Sequence, residues 1–298
     1  MKLTIITINY NSSESTIKLL KSLENQSDQD FKIIVIDNAS EEADFKNLKV
    51  ATMGIFVATK MPIVIKNIEN LGFSGGNNVG IRQALDPSTR LRQEIGADWV
   101  LLLNNDTWLK NDFISHIKAV LGHCKGLVGL PLVESDKVTH CGQIQWLKPT
   151  LRHVYDMCKT ELYTYVIGGA MLIHRSVFDK IGLLDEKYFL YFEDADFSIR
   201  ARKAGIPITI LENPKVHHSV QESTKKLGSS TLLYYHYRNA LYFNSKNGPW
   251  YIKILNWFWR QWIVKKQLFK IIFNINRKQS KAILEGAYDY YTKKFGKR

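Results

Sequence analysis

The sequence predicts an α/β domain organised around a doubly wound, mostly parallel sheet, followed by a basic helical extension. Three observations carry this. Over the first 215 residues, continuous apolar runs alternate with stretches of helical spacing, as expected for strands covered on both faces. Several of those runs end in short polar turns rich in Asn, Asp and Gly. The basic excess is confined to the C-terminal quarter. Of 41 Lys/Arg and 28 Asp/Glu, 15 and 2 lie beyond residue 225, so the first 225 residues carry 26 of each.

Taken in order, Leu3–Ile8 is a β-branched strand run, and Ile17, Leu20 and Leu23 give Ser13–Leu23 helical spacing. Phe31–Ile36 is a second buried strand, closed by Asp37-Asn38-Ala39-Ser40. A short strand at Ile63–Ile65 precedes a Gly-rich segment, Asn70–Gly80, that leads into a helix through Ile81 and Leu85. Asp98–Leu103 reads as a central strand closed by Asn104-Asn105-Asp106-Thr107, followed by a helix over Phe113–Leu121 and a strand over Gly126–Leu130. Leu132–Thr164 has weak periodicity and reads as a hairpin or loop region. A strand through GGAMLIH, a helix over Ser176–Ile181 and a helix over Asp194–Ala204 follow, the last stopped by Gly205 and Pro207. Pro207–Leu211 has the character of an edge strand.

The chain is 45% hydrophobic with only 7 Pro, which excludes disorder, collagen and coiled coil as the main organisation. Cys124, Cys141 and Cys158 include no C-x-x-C pair. A zinc ribbon, a thioredoxin-type site and a disulfide scaffold are therefore disfavoured, and the count suits a reducing cytoplasm. Met1–Lys2 runs straight into the first strand without a signal-peptide pattern. No uncharged apolar run reaches the length of roughly 18 residues that a spanning helix needs.

Ligands of open α/β sheets bind beyond the carboxyl ends of the strands, and the polar turns fall there. The turn after the first strand, TINYNSSES, has neither G-x-G-x-x-G nor G-K-[ST]. Dinucleotide oxidoreductases, P-loop enzymes and nucleotidyltransferases are thereby disfavoured. Asp37 can accept bonds from a base or ribose, or simply close an Asx-turn. The glycines before Asn77 can bring backbone N–H groups to a ligand at a helix N-terminus, or form an ordinary helix entry. Asp106 can bind a hard divalent cation that shares diphosphate oxygens as ligands, or cap a turn. Glu193, Asp194 and Asp196 lie in the first turn of a helix, where acids are favourable. Their emergence from the aromatic run Phe189-Leu190-Tyr191-Phe192 adds the desolvation that prepares a general base. Of His217 and His218, the second is favoured as a metal ligand.

These elements together, TINYN, VIDNAS, NLGFSGGNNVG, LLLNNDT, GGAMLIHR, FLYFEDADFSIRARKAG, KVHHSVQEST and YYHYRN, strongly resemble the family 2 inverting glycosyltransferases of the rhamnosyltransferase-like kind over about residues 2 to 245. The resemblance implies a GT-A fold, a nucleotide-diphospho-sugar donor and Mg²⁺ or Mn²⁺. It places Thr7, Asn9, Tyr10, Asn11, Asp37, Asn70, Gly75, Asn77 and Asn105 at the nucleotide. Arg238 is placed near the diphosphate, and Gly168 and Gly169 under the acceptor. Asp106 matches the metal-binding acid, although Asn104 stands where the family's first acid is. Asp194 matches the base, and Glu193 an acceptor contact. Aligning Ser223 and Thr224 with the family's Ser/Thr pair makes His218 a metal ligand, with Gln221 where Ser is usual.

The expected activity is inverting transfer from dTDP-rhamnose or a UDP-hexose to a glycan or lipid-linked glycan hydroxyl, in cell-surface polysaccharide synthesis. The alternative is a catalytically inactive relative that binds glycan or nucleic acid. No RRM, KH or helix-turn-helix signature supports nucleic acid, and the acids of FEDAD oppose it. Residues 1–225 form the expected catalytic domain and 226–298 the extension. There Ile254, Trp257, Phe258, Leu268, Ile272 and Ile275 fall on one helical face, Lys253, Arg260, Lys266, Lys270, Arg277 and Lys278 favour the other, and Trp259 and Ile263 interrupt the pattern. The pattern predicts a peripheral anchor on the inner face of the cytoplasmic membrane.

Overall fold

The computed structural model describes residues 1–56, 61–85, 96–147, 150–156, 158, 163–219 and 222–298. Its strands are β1 (Leu3–Asn9), β2 (Lys32–Asp37), β3 (Ile63–Lys66), β4 (Trp99–Leu103), β5 (Thr107–Trp108), β6 (Leu127–Gly129), β7 (Leu132–Glu134), β8 (Lys137–Thr139), β9 (Cys141–Ile144), β10 (Leu151–Val154), β11 (Thr164–Tyr165), β12 (Ala170–His174), β13 (Ile208–Ile210) and β14 (Val216–His218). Its helices are α1 (Ser13–Glu24), α2 (Glu42–Ile55), α3 (Gly72–Leu85), α4 (Phe113–Leu121), α5 (Arg175–Ile181), α6 (Glu193–Lys203), α7 (Glu222–Asn247), α8 (Trp250–Ile272) and α9 (Arg277–Tyr291).

The main sheet has the order β13-β6-β12-β4-β1-β2-β3. All neighbours are parallel except β12, which runs antiparallel to β4 and β6. The apolar runs are buried on both faces because helices cover both. On one side Leu19, Leu20 and Leu23 of α1 and Ile114 and Ile117 of α4 pack on Ile5, Val35 and Leu101. On the other, Ile81, Val177 and Phe197 pack on Ile6, Ile34 and Leu102. The mostly parallel, doubly wound expectation holds, and Ile208–Ile210 is the edge strand.

Four differences matter. Helix α2 has no counterpart in the sequence reading, because only Leu48 and Thr52 of it are buried. Helix α3 starts at Gly72, so the glycines lie inside it rather than before it. Cys141 and Cys158 form a disulfide with Cα atoms 6.2 Å apart, where free thiols in a reducing compartment were expected. The pairing forms because antiparallel β9 and β10 run back on each other, with Cys141 opposite Val154. The fourth difference is the domain border. Helix α7 crosses 225/226 without a break and places Ala240 and Phe243 against Tyr188, Phe192 and Ile199. Tyr234 and Tyr235 of the same helix pack with Phe189.

Candidate functional site

The carboxyl ends of β1 and β4, the turn after β2, the start of α3, and the segments before β12 and α6 surround one cavity of about 650 Å³. At one end, where the nucleotide contacts were expected, the lining residues are Tyr10, Asn11, Ser12, Asn38, Asn70 and Asn77. Of the expected contacts, Tyr10, Asn11, Asn70, Asn77 and Asn105 are therefore placed at the cavity.

Five of the residues expected at the nucleotide do not line the cavity. Asn9 is fully buried and donates through Nδ2 to Asp37 Oδ2 (2.9 Å), Ser40 Oγ (3.0 Å) and Asp44 Oδ2 (2.8 Å), while accepting from Thr16 Oγ1 (2.8 Å). Asp37 also accepts from the Ser40 N–H at 3.1 Å. The pair is a polar knot behind the cavity wall that fixes the turn. Thr7 is buried within β1. Gly75 lies on the helix side of the wall, where an added Cβ would sit 2.7 Å from Leu71 Cβ. Arg238 is fully buried in α7 and donates to Gly296 O (2.7 Å), Lys187 O (3.2 Å) and Tyr234 OH (3.3 Å). Its guanidinium fastens the C-terminus instead of reaching a diphosphate.

Asn38, the neighbour of Asp37, lines the cavity instead. Its Nδ2 donates to Asn70 Oδ1 (2.9 Å) and Gly72 O (3.0 Å), and its Oδ1 accepts from the Leu71 N–H (3.1 Å). It thereby ties the turn after β2 to the entry of α3. Nothing in DNAS distinguishes the two side chains before the sheet is assembled.

Asp106 follows β4, and antiparallel pairing of β5 with β14 sets His218 opposite Thr107. This register brings His218 Nε2 to 3.0 Å from Asp106 Oδ1. The other ring nitrogen, Nδ1, lies 2.8 Å from Glu134 Oε1, a partner not anticipated from sequence. Burial disfavours the charged imidazole, but the two carboxylates outweigh it and hold the His218 pKa above its usual value. His217 instead stacks on Trp108 at 4.0 Å, and of the two histidines only His218 lines the cavity. Asn105 donates to Ser12 Oγ (2.7 Å) and Thr16 Oγ1 (2.9 Å), locking this turn to α1.

A divalent ion suits this donor set. One carboxylate and one imidazole already face each other at ligand-like separation, and both are largely buried. Glu134 orients the ring from behind, as the carboxylate partners of metal-bound histidines do through the ring's other nitrogen. Among the described residues no cluster of three or more His, Cys, Asp or Glu side chains could hold a metal, so the pair needs ligands from a diphosphate and water. Gln221 lies outside the described residues, as do the side chains of Ser223 and Thr224.

The opposite wall is built by the aromatic run before α6. Phe189, Tyr191 and Phe192 all have positive φ, at 49°, 70° and 75°, a conformation costly for such side chains. It turns the chain so that α6 begins at the cavity with Glu193 and Asp194. Asp194 Oδ2 accepts from the Gly168 N–H (3.0 Å) and Oδ1 from the Ala195 N–H (2.8 Å). A side chain at Gly168 would place its Cβ 3.2 Å from the Phe73 ring and 3.3 Å from Asp194 Cβ, so glycine permits this approach. Gly169 also lines the cavity, beside Asn104. Glu193 is buried, and its Oε2 has no hydrogen-bond partner among the described residues.

Burial raises both carboxyl pKa values. In Glu193 the charge of Asp194 adds to the rise, whereas in Asp194 the backbone N–H groups partly offset it. One more residue escaped the sequence reading. His236 of α7 lines the cavity and stacks on Tyr191 at 4.1 Å. Burial pushes its pKa down to about 4, so it is a neutral ring at physiological pH.

The sheet order, with Asp106 after the carboxyl end of β4, Glu193 and Asp194 beside the segment that enters β12, and a helical cover on each face, defines a GT-A glycosyltransferase fold. A mannosyltransferase from Pyrobaculum calidifontis, solved with GDP-Man and Mn²⁺, shares it at a TM-score of 0.55 and 12% identity, over 98% of this chain and 87% of that one. Residues 4–182 match the glycosyl transferase family 2, and the chain belongs to that family. It is 27% identical over 249 residues to the low-salt glycan biosynthesis hexosyltransferase Agl10 of Haloferax volcanii, covering 80% of this chain and 73% of the relative. It is 24% identical over 183 residues to the dTDP-rhamnosyl transferase RfbF of Shigella flexneri, covering 58% of this chain and 62% of the relative.

Proposed function

We propose that the chain is an inverting glycosyltransferase that moves a sugar from a nucleotide-diphospho-sugar, dTDP-rhamnose or a UDP-hexose, to a hydroxyl of a glycan or lipid-linked glycan. The observation that carries this reading is that one cavity is lined both by His218, whose ring nitrogens meet the carboxylates of Asp106 behind the wall and of Glu134, and by the desolvated carboxylate pair Glu193 and Asp194. An inverting transfer needs these two functions on opposite sides of the anomeric carbon.

Tyr10, Asn11, Asn38 and Asn70 line the pocket for the nucleoside. Asp106 and His218 would hold Mg²⁺ or Mn²⁺, which supplies positive charge to the leaving diphosphate. Asp194 faces the acceptor. Two backbone N–H groups fix its carboxylate, and burial raises its basicity, so it takes the proton from the attacking hydroxyl. Glu193 stands beside it in the same wall and keeps an acceptor capacity that an acceptor hydroxyl can fill. Tyr191 and the neutral ring of His236 give the acceptor side a flat, weakly polar surface suited to a sugar ring.

The test is a donor screen. Purified protein is incubated with each of dTDP-rhamnose, UDP-glucose, UDP-GlcNAc and GDP-mannose, with and without EDTA, and nucleoside diphosphate release is measured. One donor should be turned over in a metal-dependent way. Release from none of them, together with no thermal shift by any nucleotide, would contradict the reading.

A further inference from the structure

We propose that the outward face of α8 is a docking surface for an anionic lipid bilayer, on which the helix lies in the plane of the interface. This inference does not depend on the transferase reading.

Half of the exposed large apolar side chains among the described residues fall between 250 and 275. Trp250 and Ile272 are each 75% exposed, Trp262 61% and Phe258 59%. At roughly 100° per residue these side chains, with Trp257 and Phe269, lie within one arc of about 140°. The buried residues of α8, Ile252, Asn256, Ile263 and Gln267, lie on the opposite side. Trp259 also turns inward, stacking with Tyr237. The helix is thus already held on the protein by a narrow semi-polar stripe. What it offers to solvent is the wider and more apolar face.

A contiguous exposed apolar face of this kind marks an interaction surface. The charge around it selects the occupant. On α8, Lys253 and Lys266 flank the apolar arc and Lys265 lies within it; Arg277, Lys278 and Lys281 of α9 are also exposed, and the segment 226–298 has 15 basic residues against 2 acids. A second copy of the chain would bring the same excess of positive charge against itself, whereas an anionic headgroup layer complements it. No helix of the described residues is long and apolar enough to cross a membrane. The geometry is therefore that of an interfacial helix, with aromatic side chains in the headgroup region and lysines at its flanks.

The experiment uses the full chain and vesicles of phosphatidylglycerol and phosphatidylcholine in equal parts, with phosphatidylcholine vesicles as comparison. The protein should sediment with the anionic vesicles and show a blue shift of tryptophan emission. Raising the salt should weaken this binding without abolishing it, since the apolar contact is unscreened. The triple variant Trp257→Ser, Phe258→Ser, Trp262→Ser should lower vesicle partitioning about tenfold or more. Its melting temperature should be unchanged, because all three side chains are exposed and none lines the cavity. The double variant Lys265→Glu, Lys266→Glu should weaken binding to anionic vesicles specifically.

Three results would overturn the proposal. One is failure of the wild-type chain to bind anionic vesicles. Another is a dimer in solution that the triple variant dissolves. The third is tight binding of a single-stranded oligonucleotide that competes away the vesicles. Nucleoside diphosphate release measured in the same preparations keeps failure of this proposal separate from failure of the transferase reading.

Discussion

At the residue scale the proposed chemistry rests on Asp194 and Glu193. Asp194→Asn changes little volume and keeps an acceptor oxygen for one of the two backbone N–H groups, but removes proton acceptance. Turnover should fall about 10²–10⁴-fold while nucleotide binding, read by thermal shift, persists. An active Asp194→Asn beside a dead Glu193→Gln would reverse the roles. Glu193 makes a separate prediction about stability. Its folded-state pKa is raised, chiefly by burial and then by the charge of Asp194. The native state therefore binds a proton that the unfolded chain releases above its ordinary pKa of about 4.3. Stability associated with the protonated carboxyl is present in full below that pH and is lost as pH rises through the folded-state value. Glu193→Gln should melt higher than the wild type at neutral pH, with the difference shrinking towards pH 4. A constant difference across that range would contradict the buried-carboxyl account. His218→Ala should abolish the extra nucleotide-induced thermal shift that Mg²⁺ or Mn²⁺ confers, and leave the shift without metal intact.

At the element scale the catalytic helix is locked to the extension through one carboxylate. Asp196, fully buried, pairs with Arg200 of its own helix at 2.7 Å and with Lys246 of α7 at 2.8 Å, and accepts from Asn247 Nδ2 at 2.7 Å. Removing one partner of a buried ion pair typically costs about 3–5 kcal/mol. Asp196→Ala should therefore lower the unfolding free energy by about that amount in denaturant titrations, and a change within experimental error would show that the lock is not structural. The same helix shows what the sequence could and could not reveal. The onset of α6, the acids in its first turn and its stop at Gly205 were legible, because apolar spacing, dipole preference and Gly/Pro punctuation are local. The positions of Asp106, His218 and Asp194 were legible through the family resemblance. What escaped was set by tertiary packing. Asn9 and Asp37 bond to each other, so Asn38 faces the cavity. Arg238 turns to the C-terminus rather than the site. Glu134 and His236 reach the site only through the pairing of β7 with β14 and the docking of α7. Trp259 and Ile263, which interrupt the apolar pattern of α8, are the residues that attach it.

At the scale of the whole molecule, the extension is part of the cavity wall. Helix α7 supplies His236 to the cavity and Tyr234, Tyr235 and Phe243 to the packing beneath Phe189–Phe192. Helix α9 closes over it through Ala282, Ile283 and Ala287. At Gly286 an added Cβ would lie 2.5 Å from the Tyr234 carbonyl oxygen. Gly286→Val should thus cost about 1–3 kcal/mol by overpacking, read as a lower melting temperature, and should depress activity only in proportion to the folded fraction. The measurement that bears most directly on the central claim is the anomeric configuration of the transferred sugar. With the donor identified by nucleoside diphosphate release, the product is isolated and its linkage read by NMR coupling constants. A single displacement assisted by Asp194 predicts inversion, an α-linked donor giving a β-linked product and a β-linked donor the reverse. Retention of configuration would contradict that account.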